Sequence, residues 1–198
     1  MSDRPRVLNA IERTFVGPIV CRGYRRTWRF PVEVAELLKR ETNGGTVLHL
    51  FGGMATWGVR LDADRATRPS VIGNAFFPPF ACESFDAVIV DPPYTRGTNG
   101  LWAQVLAPAA CLARRRVWWF STYAIDARFH GLRLLRWFAV VPSKQGEMRY
   151  LVELERTRHP HGGCHPTPRN GQRKLAPPIR RFDWRSRLNQ PNLDLGGA

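Results

Sequence analysis

The stretch FDAVIVDPPY, residues 85–94, runs through four consecutive apolar side chains, Ala87 to Val90, and breaks at Pro92-Pro93. A strand apolar on both faces belongs inside a sheet covered on both sides, which is a parallel one. Working outward, TVLHLF (46–51) is a second buried strand, stopping at the tight turn Gly52-Gly53. GVRLD (58–62) follows almost at once, and SVIGNAFF (70–77) reads as a further short strand. Upstream, PVEVAELLKRE (31–41) puts Val32, Ala35 and Leu38 at helical spacing, with Pro31 suited to the first turn. Downstream, GLWAQVLAPAACLARR (100–115) reads as a helix despite Pro108, and RVWWFSTYAI (116–125) as a central strand with Trp118 and Phe120 in the core. LRLLRWFAVVP (132–142) and EMRYLVELERT (147–157) complete the set, the last alternating as an antiparallel strand does. Strands alternating with helices predict an α/β, doubly wound sheet with ligands at the carboxyl ends of its strands.

Chemistry begins where residues 85–90 end. Pro92 and Pro93 fix φ and withdraw two backbone donors, so the carbonyls of this turn are free and rigidly aimed. An amine conjugated to an aromatic ring is a poor nucleophile, because its lone pair is delocalised. Accepting its two hydrogens on the Asp91 carboxylate and the Pro92 carbonyl would draw the nitrogen towards tetrahedral geometry and localise that lone pair for attack. Tyr94 would stack on the ring. The competing reading makes the motif a strand-terminating turn, with Asp91 capping the segment after it.

With these residues the chain resembles the amino-methyltransferases that use S-adenosylmethionine, in particular the DNA adenine and cytosine N-methyltransferases and their small phage-type relatives. The likeness rests on ACESFDAVIVDPPY (81–94), LHLFGGMATWG (48–58), GVRLDAD (58–64) and GNAFF (73–77), with Arg29-Phe30-Pro31 ahead of them. It implies the Rossmann-like doubly wound mixed sheet of class I methyltransferases over residues 31–155, with Asp91, Pro92, Pro93 and Tyr94 as the catalytic motif. It also implies a cofactor site built from Phe30, Pro31, Phe51, Gly52, Gly53, Asp62, Asn74, Ala75 and Phe76. The glycines would let the backbone approach the methionine half of S-adenosylmethionine, Asp62 would accept the ribose hydroxyls, and Asn74 with Ala75 and Phe76 would hold the adenine. Ala55 and Asn74 replace the family's usual glycine and aspartate, and the short span from Gly53 to Asp62 leaves no room for a long first helix.

Charge points to the partner. Thirty Lys and Arg against sixteen Asp and Glu give a net charge of +14, which calls for a polyanion. Residues 1–30 hold seven Arg against Asp3 and Glu12, residues 156–198 nine basic groups against Asp183 and Asp194, so the two ends carry +12 of that charge. Both read as basic arms for DNA, with RNA the alternative polymer, and the Pro- and Gly-rich second arm reads as a tail that does not fold alone. The predicted nucleic-acid contacts are Arg22, Tyr24, Arg25, Arg26, Arg96, Arg180, Arg181, Trp184 and Arg185, arginines interleaved with aromatic rings. No separate recognition domain fits the spacing, so a duplex target would be flipped out to reach Asp91.

The remaining signals narrow the function. Cys21, Cys82, Cys111 and Cys164 show no CxxC spacing and are read as reduced and structural. Cys82 is not placed as the nucleophile of ring-carbon methylation. His159, His161, Cys164 and His165 lie too close together for a zinc site and are read as part of the basic tail. No apolar run suits a membrane span or a signal peptide, so a cytoplasmic, membrane-free protein is expected. The expected reaction is methylation of adenine N6 in DNA, with cytosine N4 next. RNA guanine-N2 methylation is the second reading, and a nucleic-acid-binding module without cofactor, motivated by Ala55 and Asn74, is the third.

Overall fold

The computed structural model describes residues 14–21, 29–93, 103–122, 131–142 and 148–157. The chain divides into two compact units, Met1–Cys164 and His165–Ala198, and every described residue belongs to the first. Its strands are β1 (Phe15–Cys21), β2 (Val47–Leu50), β3 (Val59–Asp62), β4 (Val71–Ile72), β5 (Phe85–Val90), β6 (Ala113–Ser121), β7 (Leu132–Pro142) and β8 (Arg149–Arg156). They form one sheet in the order β1-β7-β8-β6-β5-β2-β3-β4. β2 to β6 run parallel, and β8 is antiparallel to both its neighbours, as the alternation of EMRYLVELERT predicts. The strand order reverses at β2, with β3 and β4 on one side and β5 and β6 on the other.

Among the described residues, two helices cover the faces. α1 (Val32–Glu41) starts directly after Pro31, whose carbonyl accepts the Ala35 N–H. It buries Val34, Leu37 and Leu38 in a cluster with Val47, Ile89, Trp118, Phe120, Phe138, Val140 and Leu151. α2 (Leu106–Leu112) buries Leu106, Ala109, Ala110 and Leu112 on the opposite face, with Leu48, Leu50, Val88, Val90, Trp119 and Val152. Trp118 and Phe120 are core residues, as expected, at 0% and 1% exposure. Burial of a large apolar side chain contributes roughly 1.5–3 kcal/mol, so these rings are among the main anchors of the sheet. Between β2 and β5 the only helical segment is the 3₁₀ turn Arg65–Thr67, so the long first helix is indeed missing.

Several expectations need correction. Phe15–Cys21, inside the supposed arm, pairs with β7 in parallel. Its Pro18 looks like a breaker in sequence, but β1 is an edge strand, where one side has no ladder to lose. The predicted helix over residues 100–115 is only Leu106–Leu112 within the described residues, preceded by a 3₁₀ turn at Ala103–Val105. Pro108 is tolerated because it falls in the first turn, where its missing N–H has no intrahelical partner. Ala113 to Arg115 then belong to β6. SVIGNAFF is a strand only at Val71–Ile72, because Asn74 turns the chain. The cysteines are not all reduced: Cys82 and Cys111 form a disulfide.

An ionic ladder crosses β6, β8 and β7. Glu153, 6% exposed, accepts hydrogen bonds from Arg116 Nε at 3.1 Å and from Arg136 Nε. Glu155 pairs with Arg116 Nη1 at 2.9 Å and with Arg133, and Arg136 reaches Glu41 of α1. Arg136 also lies over the Trp118 and Phe138 rings, 5.6 Å from each centroid. Without Glu153, Arg116 would keep Glu155 and Arg136 would keep Glu41, with their side chains 36% and 33% exposed, so neither charge would be left in a dry site. Glu153→Ala is expected to cost about 1–2 kcal/mol in urea unfolding, with Glu155→Ala costing less because Glu155 lies nearer solvent.

Candidate active site

The carboxyl ends of three strands meet at the reversal. Leu50 of β2 lies between Leu61 of β3 and Val90 of β5, so the turns after β2 and β5 open at the same place. In an open α/β sheet that switch point is where ligands bind. The chain turns sharply there, with Phe51 and Gly53 at φ of 58° and 46°. The Gly52 N–H donates to the Leu61 carbonyl at 3.0 Å, and the Ala55 N–H to the Gly52 carbonyl at 3.1 Å. A Cβ on Gly52 would stand 2.7 Å from the Arg60 Cβ and 3.0 Å from its Cα, so the glycine is required first by close packing on β3.

Asp62 ends β3 and ties the turns together. Its Oδ2 accepts the Gly53 N–H at 2.8 Å and its Oδ1 the Asp64 N–H at 2.9 Å, leaving each oxygen a further lone pair. The Asp62 carbonyl accepts the Gly73 N–H at 3.0 Å, which draws the GNAFF segment alongside. Asn74 Oδ1 accepts the Phe76 N–H at 2.9 Å, so this side chain first of all builds a turn. Ala75 is buried in the α2-side core and Phe76 packs against it. On β5, the Asp91 N–H reaches the Leu50 carbonyl at 3.4 Å, Asp91 is half-buried and Pro92 is buried.

The expected cofactor set is therefore joined in part. Gly53, Asp62 and the Asn74 turn share hydrogen bonds, and Asp91 adjoins β2. Phe30 instead packs with His49, Trp57 and Phe120 on the α1 side, at ring distances of 6.3, 6.3 and 5.6 Å, while Phe51 packs on the α2 side. Tyr94 and Arg96 lie outside the described residues, as do Arg22, Tyr24, Arg25, Arg26, Arg180, Arg181, Trp184 and Arg185. The zinc-like cluster from His159 to His165 lies outside them too. Burial, and then the nearby Glu33 carboxylate, pushes the Cys21 thiol up to about 11, and Cys82 and Cys111 are bonded to each other. None of these three supplies a thiolate nucleophile at neutral pH.

Two residues escaped the sequence reading. Arg60 bridges the turns after β2 and β3 through its guanidinium. His49 of β2 is 1% exposed, edge-on to Trp57 at 4.6 Å, with no partner for Nε2. A polar residue within the apolar run TVLHLF was the available signal for it. Burial above all, and then the Arg60 charge, lowers the His49 pKa to about 4, against a Trp57 backbone hydrogen bond that raises it. The unfolded chain thus takes up this proton first as pH falls. His49 contributes its full stability above about pH 6.5 and loses roughly 3 kcal/mol of it as pH approaches about 4. Urea midpoints between pH 7 and 4 are expected to show that loss, and His49→Leu to flatten this part of the profile.

No family profile and no curated protein matches the chain. Solved structures do. A candidate RNA methyltransferase from Pyrococcus horikoshii is 14% identical over 68% of this chain and 91% of its own, with a TM-score of 0.49. A candidate methyltransferase from Escherichia coli is 17% identical over 69% and 92%, also at 0.49. The magnesium protoporphyrin IX methyltransferase from Synechocystis, solved with bound S-adenosylmethionine, is 13% identical over 62% and 76%, at 0.46. The order β7-β8-β6-β5-β2-β3-β4, with β8 antiparallel, is the Rossmann-like mixed sheet of class I methyltransferases, and the chain has that fold.

Proposed function

We propose that the protein transfers a methyl group from S-adenosylmethionine to the exocyclic amine of a DNA base, adenine N6 first and cytosine N4 next. The observation that carries this reading is Asp91-Pro92-Pro93, which leaves β5 at the switch point, hydrogen-bonded to the last residue of the strand that enters the glycine turn. The donor set suits the cofactor. Asp62 keeps acceptor capacity for a ribose diol, one strand away from a backbone turn without side chains at Gly52 and Gly53. When bound, S-adenosylmethionine supplies an electrophilic methyl group on a sulfonium.

The chain's own residues would do the rest. Asp91 accepts one hydrogen of the target amine and the Pro92 carbonyl the other, which orients the nitrogen and localises its lone pair. Burial of Pro92 keeps that carbonyl in place. Tyr94 stacks on the base, and the proton released from the amine passes by way of Asp91. Direct transfer needs neither a covalent intermediate nor a thiol. The net charge of +14, concentrated in residues 1–30 and 156–198, supports a nucleic acid as the methyl acceptor.

Labelled S-adenosylmethionine, incubated with matched DNA and RNA and followed by mass identification of the nucleosides, tests the reading. Methylated adenine or cytosine in DNA is expected. Asp91→Ala is expected to lower the rate by about 10²-fold or more with cofactor affinity unchanged, as for a group acting on the amine alone. Label on RNA guanine would move the function to the second reading, and no label in either polymer would contradict nucleic-acid methylation.

A further inference from the structure

The glycine turn has no helix behind it. β3 begins at Val59, soon after Gly53, and its second residue is Arg60. Arg60 Nη1 donates to the Gly53 carbonyl at 2.9 Å and to the Thr67 carbonyl at 3.1 Å, and Nη2 donates to the Arg68 carbonyl. The acceptors belong to two separate turns, one after β2 and one after β3. The second is itself well built: Asp64 caps the 3₁₀ turn through the Ala66 N–H at 2.9 Å, Thr67 Oγ1 donates to the Asp64 carbonyl, and Arg68 closes it at φ 50°. The Arg60 backbone N–H is fixed as well, on Ser70 Oγ at 3.1 Å.

These contacts have a common logic. A guanidinium presents its donors in a rigid plane, so three carbonyls from two loops can be held at once, which a lysine ammonium on a flexible stem does poorly. Gly52 packs against the same residue, since a Cβ there would run into the Arg60 Cβ and Cα. Arg60 thus touches both glycines of the turn, Gly52 by packing and Gly53 by hydrogen bond. Its partners are neutral carbonyls, so the guanidinium remains a local positive charge, and it acts as one on His49, its register partner on β2.

We propose that Arg60 is the positioning residue of this site: it takes the place of the absent helix and pre-forms the Gly53–Asp62 arrangement that receives the cofactor. The inference rests on the reading of the site as one for S-adenosylmethionine. Arg60 contacts no reacting group. It acts through the Gly53 carbonyl on one side and through the position of Asp62, two residues further along β3, on the other. Rigidity of this kind lowers the cost of ordering the turn when a ligand binds, so it appears in affinity rather than in the chemical step.

The test is Arg60→Met, which keeps length and loses every donor, beside Arg60→Lys. Amide hydrogen exchange at Gly53, Ala55 and Arg68 is expected to accelerate about tenfold or more in Arg60→Met, with the β2 and β5 amides unchanged. S-adenosylmethionine affinity, read by calorimetry, is expected to fall about tenfold or more, with kcat at saturating cofactor held within about twofold and Arg60→Lys recovering only part of the loss. Uniform acceleration across the whole sheet would overturn the proposal by making Arg60 a general stabiliser. So would a loosened turn that leaves affinity unchanged. If the wild-type protein does not bind S-adenosylmethionine, the reading of the site falls separately, and the exchange pattern alone supports or overturns the clamp.

Discussion

Val47, Leu48, His49 and Leu50 pair in parallel register with Ala87, Val88, Ile89 and Val90, and the strand order of the sheet reverses across this pairing. Everything at the candidate site depends on it. It sets the turn after Leu50 beside the turn after Val90, so that the Asp91 N–H reaches the Leu50 carbonyl just before the glycines. It also splits the core, because alternate residues of both strands point to opposite faces: Leu48, Leu50, Val88 and Val90 to the α2 side, Val47 and Ile89 to the α1 side. A one-residue slip of β2 would send its leucines to the wrong face and carry the glycine turn away from Asp91.

Polar clamps replace missing helices around this pairing. Between β2 and β5 the chain has one 3₁₀ turn instead of crossover helices, and side chains bonded to backbone take up the slack. Asp64 and Asn74 accept N–H groups from their own loops, Asp62 accepts one from its own loop and one from the glycine turn, and Arg60 gathers three carbonyls. Further along, the Cys82–Cys111 disulfide joins the segment before β5 to α2, closing a loop of 29 residues. A closure of that length stabilises a fold by about 3.6 kcal/mol in the chain-entropy account. Glu83 reinforces it, with its N–H on the Cys111 carbonyl at 2.8 Å and its carboxylate on Arg156 at 2.9 Å.

Apolar patterning made the fold legible in sequence. The runs TVLHLF and FDAVIVDPPY are apolar enough on both faces that burial decides them, whereas β8 is antiparallel as expected without keeping the expected alternation, since Leu151 to Leu154 are all buried. Where an element depends on its neighbours, the sequence misleads: β1 survives Gly17 and Pro18 because it lies on an edge, and α2 is short because only its first turn accepts Pro108. The turns of the candidate site were legible as turns, since Gly52-Gly53 and Pro92-Pro93 each end an apolar run. The roles of Arg60 and His49 were not, because each depends on which carbonyls and rings the folded turns bring near. The cysteine pairing escaped for the same reason: a sequence separation of 29 says nothing of a Cα–Cα distance of 4.9 Å.

The electrostatic layout fits a division of labour. The ionic ladder over β6, β8 and β7 is neutralised internally, whereas much of the net positive charge lies in residues 1–30 and 156–198, which enter the sheet only through β1 and the end of β8. The proposed cofactor site at the carboxyl edge of the sheet and the proposed attraction of its basic segments for a polyanion are two separable parts of one account, and the first is central. Photo-crosslinking of labelled S-adenosylmethionine, followed by mass mapping of the labelled peptides, tests it most directly. The account predicts label within residues 48–62 and 73–76, competed away by unlabelled cofactor; competable label confined to other peptides would contradict it.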